Sequence, residues 1–211
     1  MDESASARSA STLRSAIEST FGERLFDRPT FYNNPGGLRF ALSSGGSTVD
    51  CFLSAFRTAK VICEDILPPG QDFTVCLAIC LPPSILAGRG VLRRLAQAGI
   101  VIPRARSTWM RPPEDPESVW VTRCIAFHVE RRLLDNLLWC ALASDLAIEP
   151  NPRCEAIYLM DLARAVCVHP YDDRGMDVVG SNHELLRDLH ARHGRHLLDH
   201  DRKTMAATFG A

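Results

Sequence analysis

The sequence predicts an α+β fold: a single domain in which helices flank a mainly antiparallel, mixed sheet. Three observations lead to this prediction. Segments with strand-like alternation and segments with helical spacing occur in mixed order along the chain. Two strand-like segments follow each other near the C-terminus, as the arms of a hairpin do. The 211 residues, 46% of them hydrophobic, suffice for the core of one domain, and no repeat divides them.

The chain is predicted to begin with a tail and a short helix. Residues 1–12 are rich in Ser and Ala, so we expect a disordered tail there and the single domain over residues 13–211. Leu13, Ile17 and Phe21 recur at helical spacing, which predicts an amphipathic helix.

A strand and a long helix are the best-defined elements of the N-terminal half. Turn-forming residues at 31–37 lead into residues 38–42, whose strict alternation predicts a half-buried strand. A helix with one apolar face follows, and Ser47 and Asp50 have the spacing of a capping box at its start. The residues of that face are Val49, Phe52, Leu53, Phe56, Ala59, Cys63, Ile66 and Leu67.

Apolar patterning predicts the other elements in turn. A continuous apolar run over residues 73–81 indicates a strand that is covered on both faces. The elements predicted after it are a helix at 85–96 closed by Gly99, a proline-rich connection around 111–116, a strand at 119–129, a helix at 131–147, strands at 156–162, 165–171 and 176–179, and two short C-terminal helices.

The composition argues against several classes of protein. The chain has 24 basic and 25 acidic side chains, so no overall field attracts nucleic acid. The most apolar run has nine residues, whereas a membrane helix needs about 20, and the N-terminus lacks the apolar stretch of a signal peptide. The eight cysteines lie mostly within apolar runs and are expected to be reduced, buried thiols. We therefore expect a cytoplasmic bacterial protein without a membrane or nucleic-acid partner.

Sequence templates for catalysis are absent. Neither a glycine-rich phosphate loop, nor GxSxG, nor a CxxC pair occurs. In the run His183-Glu184-Leu185-Leu186-Arg187, arginine stands where a zinc protease helix needs its second histidine. We therefore predict no catalytic residue, no cofactor and no metal ligand.

Histidines are concentrated near the C-terminus, where five of the seven lie, namely His183, His190, His193, His196 and His200. Pairs three or four residues apart on a helix can chelate a metal ion. Gly194 interrupts a continuous helix through them, which favours the alternative that these rings pack like aromatic side chains near the surface.

A set of acidic residues near the same end is a second candidate site: Asp161, Asp172, Asp173, Asp177, Asp199 and Asp201. Converging carboxylates can hold Mg²⁺ or act as general acid and base. The alternative is a hairpin turn in which Gly175 adopts a positive φ and an Asp side chain bonds nearby backbone amides. The sequence favours the turn.

A basic segment is the third candidate. No acid occurs from residue 73 to residue 113, and helical spacing makes Arg89 and Arg93 neighbours within it. The segment can present a basic face to an acidic protein or to RNA, or it is a solvated edge whose charges pair with acids elsewhere. The arginines expected to contact a partner are Arg89, Arg93, Arg94, Arg104 and Arg106, and Arg111 belongs to the same segment.

Several motifs resemble those of a bacterial family of unknown function. They are YDDRGMDVVG at 171–180, LLDHDR at 197–202 and a turn followed by the strand-like GLRFAL at 37–42, within a similarity over about residues 21–209. The resemblance implies that the signature is mostly scaffold, with Arg39, Asp173, Arg174 and Asp177 in a buried network of ion pairs and turn bonds. The signature residues are Arg39, Tyr171, Asp172, Asp173, Arg174, Gly175, Asp177, Asp199, Asp201 and Arg202. The resemblance also implies that the C-terminal histidines, which stand where the family pattern has aromatic residues, stack through their rings.

The resemblance carries no activity, but small cytosolic families of this kind are often immunity or antitoxin-like proteins. We therefore expect a protein-binding module, an immunity protein that neutralises a secreted bacterial toxin by occluding its active site. A metal-dependent hydrolase or nuclease that uses Asp172, Asp173 and Asp177 with a C-terminal histidine is the alternative. A structural or regulatory homodimer is a third possibility.

Overall fold

An antiparallel sheet organises the chain. The computed structural model describes residues 13–82, 88–112, 117 and 119–210, so the predicted tail at 1–12 lies outside the described residues. The described strands form one seven-stranded sheet in the order β1-β7-β6-β5-β2-β4-β3, and each neighbouring pair is antiparallel. The strands are β1 (Leu38–Ala41), β2 (Phe73–Leu81), β3 (Ser107–Arg111), β4 (Val121–Val129), β5 (Ala156–Asp161), β6 (Val166–Asp172) and β7 (Gly175–Gly180).

Helices lie before, between and after the strands. They are α1 (residues 13–21), α2 (Thr30–Asn33), α3 (Thr48–Ile66), α4 (Arg89–Gln97), α5 (Leu134–Leu142), α6 (His183–Arg192) and α7 (Arg202–Phe209). Short 3-10 turns occur at Glu23–Phe26, Arg131–Leu133, Gly194–His196 and Asp199–Asp201. The predicted α+β class is therefore confirmed. No helix among these described segments is long and apolar enough to cross a membrane.

Each face of the sheet is covered by its own hydrophobic cluster. On one face, β-strand residues such as Phe40, Leu77 and Val168 pack with buried residues of α3, α4, α5, α6 and α7. On the other face, Tyr158 and other strand residues pack against α1 and the turn at Glu23–Phe26. The second face has the thinner cover, and the polar side chains discussed below lie on it.

The two edge strands of the sheet have different neighbours. The C-terminal segment lies along β1, because Phe40 forms an isolated bridge with Leu197 and the Leu198 N–H donates to the Arg39 carbonyl. At the opposite edge, β3 pairs with β4 and with no other strand of the described residues. The sequence did not predict β3, because five residues between prolines are too short for a clear alternation.

Most of the prediction for the long helix α3 is confirmed, and one part of it is wrong. Ser47 and Asp50 form the expected capping box. Val49 and Leu53, however, are 62% and 41% exposed and do not belong to the core. One helical residue corresponds to about 100° of rotation, so Leu53 points away from the face that Phe52 buries.

The thiols differ slightly from expectation. All eight cysteines are free, and five are buried, but Cys80 is exposed near the end of β2.

Two element boundaries differ from the prediction. The helix α5 ends at Leu142, whereas the predicted helix ends at residue 147, and β4 begins at Val121, whereas the predicted strand begins at residue 119. Val119 and Trp120, predicted as strand residues, are therefore outside β4 and exposed.

Candidate functional site

The arginine segment leads along the chain into β3, the edge strand opposite β1. Arg89, Arg93 and Arg94 belong to α4, and Arg104 and Arg106 belong to the connection between α4 and β3. None of the five forms an ion pair with a carboxylate of the described residues. Four of the five are exposed, and Arg94 is half-buried. Within the described residues, therefore, no carboxylate neutralises these charges.

Arg111 behaves differently from the other arginines of this segment. Its guanidinium lies 3.4 Å from Asp27 Oδ1 and 5.6 Å from the centre of the Phe26 ring. It is therefore part of the packing between β3 and the turn at Glu23–Phe26, and it is not available to a partner.

Exposed apolar side chains accompany the arginines. Of the nine large hydrophobic side chains exposed in the described residues, five belong to α4, to the α4–β3 connection, to β3 or to the residues just before β4: Leu92, Val101, Met110, Val119 and Trp120. We call these five, together with Arg89, Arg93, Arg94, Arg104 and Arg106, the β3-edge surface. Arginine, methionine and tryptophan are the residue types enriched in protein interfaces.

Arg39 is the centre of a different cluster, at the β1 end of the sheet. Its Nε and Nη2 donate to Asp177 Oδ1 and Oδ2 at 2.7 and 3.0 Å, and its Nη1 lies 3.5 Å from Asp201 Oδ2. The rings of Phe31, Tyr32 and Tyr171 surround the guanidinium, with ring centres 5.1, 4.8 and 5.6 Å from Cζ. We call these residues the Arg39 cluster.

The electrostatics of the Arg39 cluster follow from burial. The side chain of Arg39 is 11% exposed, and those of Asp177 and Asp201 are 1% and 5% exposed. Burial opposes the charge of Arg39, but hydrogen bonding and attraction to Asp177 outweigh it and raise the pKa of the guanidinium. The Tyr32 hydroxyl donates to Asp201 Oδ1 at 2.9 Å, and this bond raises the pKa of Tyr32. The cluster is thus an internal pairing of charges between β1, β7 and the C-terminal segment.

The other signature residues make separate, local bonds. Arg174 donates to Asp172 through Nε at 2.9 Å and through Nη2, within the β6–β7 hairpin. Asp173 is buried and forms no ion pair with the described residues, and burial raises its pKa. The expected buried pair of Arg39 with Asp177 is confirmed, but Arg174 is largely exposed and pairs with Asp172, so the four residues do not form a single buried network. Two pairs form on different parts of the hairpin, because Asp172 and Asp177 lie on opposite sides of its turn.

Gly175 is required for a reason other than the expected one. Its φ is not positive. A Cβ on Gly175 would instead overlap the Tyr171 ring and lie 3.0 Å from the Phe40 carbonyl oxygen. The missing side chain allows the Tyr171 ring to lie across the hairpin beside Arg39.

The last signature residues stabilise the C-terminal turns. Arg202 donates to Asp199 at 3.0 Å and to the carbonyl oxygens of Gly194 and Leu197 at 2.9 and 3.1 Å. Asp199 is exposed, whereas Asp201 is buried in the Arg39 cluster. Within the LLDHDR run, Asp199 therefore belongs to a turn and Asp201 belongs to the Arg39 cluster.

The C-terminal histidines are dispersed. His193 lies 2.7 Å from Asp65 and packs edge-on against Phe40, His190 packs against Phe209, and His196 accepts a hydrogen bond from Arg195. Ring packing thus occurs for two of the five. Among the described residues, no group of three or more His, Cys, Asp or Glu could hold a metal ion. The convergence of acids that the hydrolase alternative requires is not found in that part of the chain.

The sequence motifs did not single out His169, a buried titratable group of β6. It lies on β6 opposite Asp177, and it is 2% exposed. Its Nδ1 is 2.8 Å from Thr30 Oγ1, and its Nε2 is buried without a hydrogen-bond partner. Burial lowers the pKa of His169 to about 3, and Arg28 and Arg39 act in the same direction. The sequence feature that could have identified this residue is a histidine at an inward-facing position of an apolar strand.

The contact between Thr30 and His169 resembles a nucleophile with its base, but it does not have the required chemistry. A pKa near 3 makes the imidazole too weak a base at neutral pH. Thr30 is also 0% exposed. The hydrogen bond therefore holds the imidazole in place.

A cleft of about 480 Å³ opens beside the Arg39 cluster on the thinly covered face. Its lining residues are Arg28, Pro29, Thr30, Arg39, His169, Tyr171 and Asp177. The Arg28 guanidinium is held by Glu155, with Nη2 2.7 Å from Oε1. This cleft and the β3-edge surface are thus both open to a partner or ligand.

Comparison with known proteins gives a family and no activity. No curated protein and no solved structure matches the chain. A family model described as a domain of unknown function matches residues 13–201, which confirms the resemblance seen in the sequence motifs. Because this match spans most of the 211 residues, the chain belongs to the family of the domain of unknown function DUF3885.

Proposed function

We propose that the protein is a binding module whose β3-edge surface docks on an acidic face of a partner protein. One observation carries the proposal: five arginines that are unpaired within the described residues share this surface with five exposed apolar side chains. Arginines that pair with no described carboxylate can attract an acidic partner over long range, and apolar neighbours supply burial after contact.

Four of the five signature acids have arginine partners within the described residues, and Asp173 does not; these pairings support a binding role. Asp177 and Asp201 face Arg39, and Asp172 accepts from Arg174. A carboxylate that is bonded to a buried guanidinium is a poor candidate for metal binding or proton transfer. The hydrolase alternative has no comparable support.

Within this class, we propose an immunity protein that neutralises a secreted toxin. Such a protein works by covering the active site of the toxin, which requires a complementary surface and no chemistry of its own. The association of small cytosolic families with toxin neutralisation supports this assignment by analogy.

Charge reversal tests the proposed surface. The variant Arg93→Glu/Arg94→Glu should slow association with a partner captured from the native host by about tenfold or more at low salt. The control Arg57→Glu/Arg187→Glu makes the same change in net charge on α3 and α6, where both side chains are exposed. Association rates for both variants are measured by surface plasmon resonance at two salt concentrations.

The outcomes test the β3-edge surface and the immunity assignment separately. Normal association of the Arg93→Glu/Arg94→Glu variant at low salt, or equal slowing by the control, rejects the β3-edge surface. The immunity assignment requires in addition that the captured protein stops bacterial growth when expressed alone and permits it when co-expressed with this chain. A captured protein that is harmless rejects that assignment.

A further inference from the structure

The cleft beside the Arg39 cluster contains a polar group that nothing described above uses. The imidazole of His169 lines the cleft, and its Nε2 is buried without a partner. A buried polar atom without a hydrogen bond costs about 1–3 kcal/mol, and such atoms are rare in native proteins. This cost indicates that another molecule supplies the bond.

The imidazole is held in place from several sides. Its Nδ1 is 2.8 Å from Thr30 Oγ1, and its ring stacks on Tyr158 with ring centres 4.5 Å apart. The ring of Tyr171 packs edge-on at 6.3 Å. A group fixed in this way loses little freedom when a ligand binds, which favours binding.

The hydrogen bond of Thr30 determines which nitrogen carries the proton. The Thr30 hydroxyl has no other partner among the described residues, so donation to Nδ1 satisfies its hydrogen. Burial keeps the imidazole neutral, with a pKa of about 3, and a neutral imidazole has one N–H. That N–H is therefore at Nε2, and the atom left for a ligand is a donor.

Other groups in the cleft are also donors. The Tyr171 hydroxyl forms no hydrogen bond with the described residues, and Arg28 retains N–H groups beyond those that bond Glu155. The carboxylate of Asp177 lines the same cleft. Arg39 pairs with this carboxylate and Glu155 pairs with Arg28, so the charges of the cleft are already balanced internally. A carboxylate or a phosphate would therefore lose its hydration there without meeting an unpaired cation. The volume of about 480 Å³ lies within the range of small-molecule sites.

We propose that this cleft binds a small, uncharged ligand whose carbonyl oxygen accepts the Nε2–H of His169 and the hydroxyl of Tyr171. Amides and related carbonyl compounds belong to this class. The site is on the opposite end of the sheet from the β3-edge surface, and the proposal does not rest on the proposed function.

N-methylacetamide serves as the probe. Long-range ¹H–¹⁵N NMR follows the imidazole nitrogens of His169 during titration of the full-length protein. We expect a saturable shift at Nε2, whereas sodium acetate at the same concentrations binds more weakly because its carboxylate loses its hydration in the cleft without meeting an unpaired cation. No saturable shift with N-methylacetamide, or tighter binding of acetate, overturns the proposal.

Two substitutions of His169 form a matched pair, and binding to them is followed by shifts of backbone amides along β6. His169→Asn keeps a polar group at the Nδ1 position, near Thr30, and removes the one at Nε2. His169→Gln keeps a donor at the Nε2 position. We expect about tenfold weaker binding for His169→Asn than for the wild type, and retention within about threefold for His169→Gln. Equal binding by His169→Asn and the wild type overturns the proposal.

Tyr171→Phe provides a test that leaves the imidazole untouched. The substitution removes only the hydroxyl and keeps the ring over Gly175. We expect binding about three- to tenfold weaker than in the wild type. This variant decides the question if His169→Asn does not fold, because unchanged binding of the probe by Tyr171→Phe then contradicts the proposed contact.

Discussion

The two ends of the sheet use the same side chain in opposite ways. At the β1 end, the Arg39 guanidinium lies between two carboxylates and three aromatic rings and is 11% exposed. At the β3 end, Arg93 is exposed and pairs with no carboxylate of the described residues. The residue type alone therefore does not indicate a binding role. The neighbouring acids and rings decide whether an arginine belongs to the architecture or remains available to a partner.

This comparison predicts its largest effect at Arg39. Arg39→Met should destabilise the protein by about 3–5 kcal/mol, because it leaves Asp177 and Asp201 buried without their counter-charge. Arg93→Met, at the other end, should change the free energy of unfolding by less than about 0.5 kcal/mol. Urea unfolding measures both. Similar losses for the two variants would remove the distinction between the ends.

The hairpin beside Arg39 should also be sensitive to substitution. Gly175→Val should destabilise the protein by about 3 kcal/mol, because the new side chain displaces the Tyr171 ring. Gly194→Val is the control, since nothing lies within 4 Å of a Cβ at that position. Thermal unfolding of both variants tests this, and equal stability would mean that the hairpin tolerates the displaced ring.

His169 makes the β1 end sensitive to acid. Its pKa is about 3 in the folded protein, against an ordinary value of 6.5, so its contribution to stability is complete above pH 6.5 and declines as the pH falls towards 3. Relative to pH 7, the wild type should lose about 2 kcal/mol from this group at pH 5. His169→Asn should lack that part of the decline, as urea unfolding at the two pH values shows. An identical pH dependence in both proteins would mean that His169 titrates normally.

The smallest effect is expected at the β3-edge surface. The variant Arg93→Glu/Arg94→Glu should unfold within about 0.5 kcal/mol of the wild type, because neither side chain pairs with a described carboxylate. Its circular dichroism spectrum should be unchanged. A loss of several kcal/mol would show that these arginines are structural and would place them with Arg39.

Strong local patterns allowed much of the fold to be predicted from the sequence. The run at residues 73–81 became β2, and the capping-box spacing at Ser47 marked the start of α3. In contrast, β3 has only five residues next to prolines, and its pairing with β4 depends on long-range register. Local periodicity carries no information about such a partner.

The candidate sites depended even more on distant contacts. The arginines of α4 were found because an acid-free segment is visible in sequence. The pairing of Arg39 with Asp177, however, joins residues 138 positions apart, and the contact of Thr30 with His169 spans 139 positions. The sequence motif around Gly175 suggested a turn, but only the structure shows that the Tyr171 ring, and not φ, requires glycine there.

Hydrogen–deuterium exchange on the complex with the captured partner compares the two ends in one measurement. The account predicts added protection in peptides that cover residues 89–111, with little change around Arg39 and at residues 171–180. Added protection at the β1 end, with residues 89–111 unchanged, would contradict the assignment of recognition to the β3-edge surface.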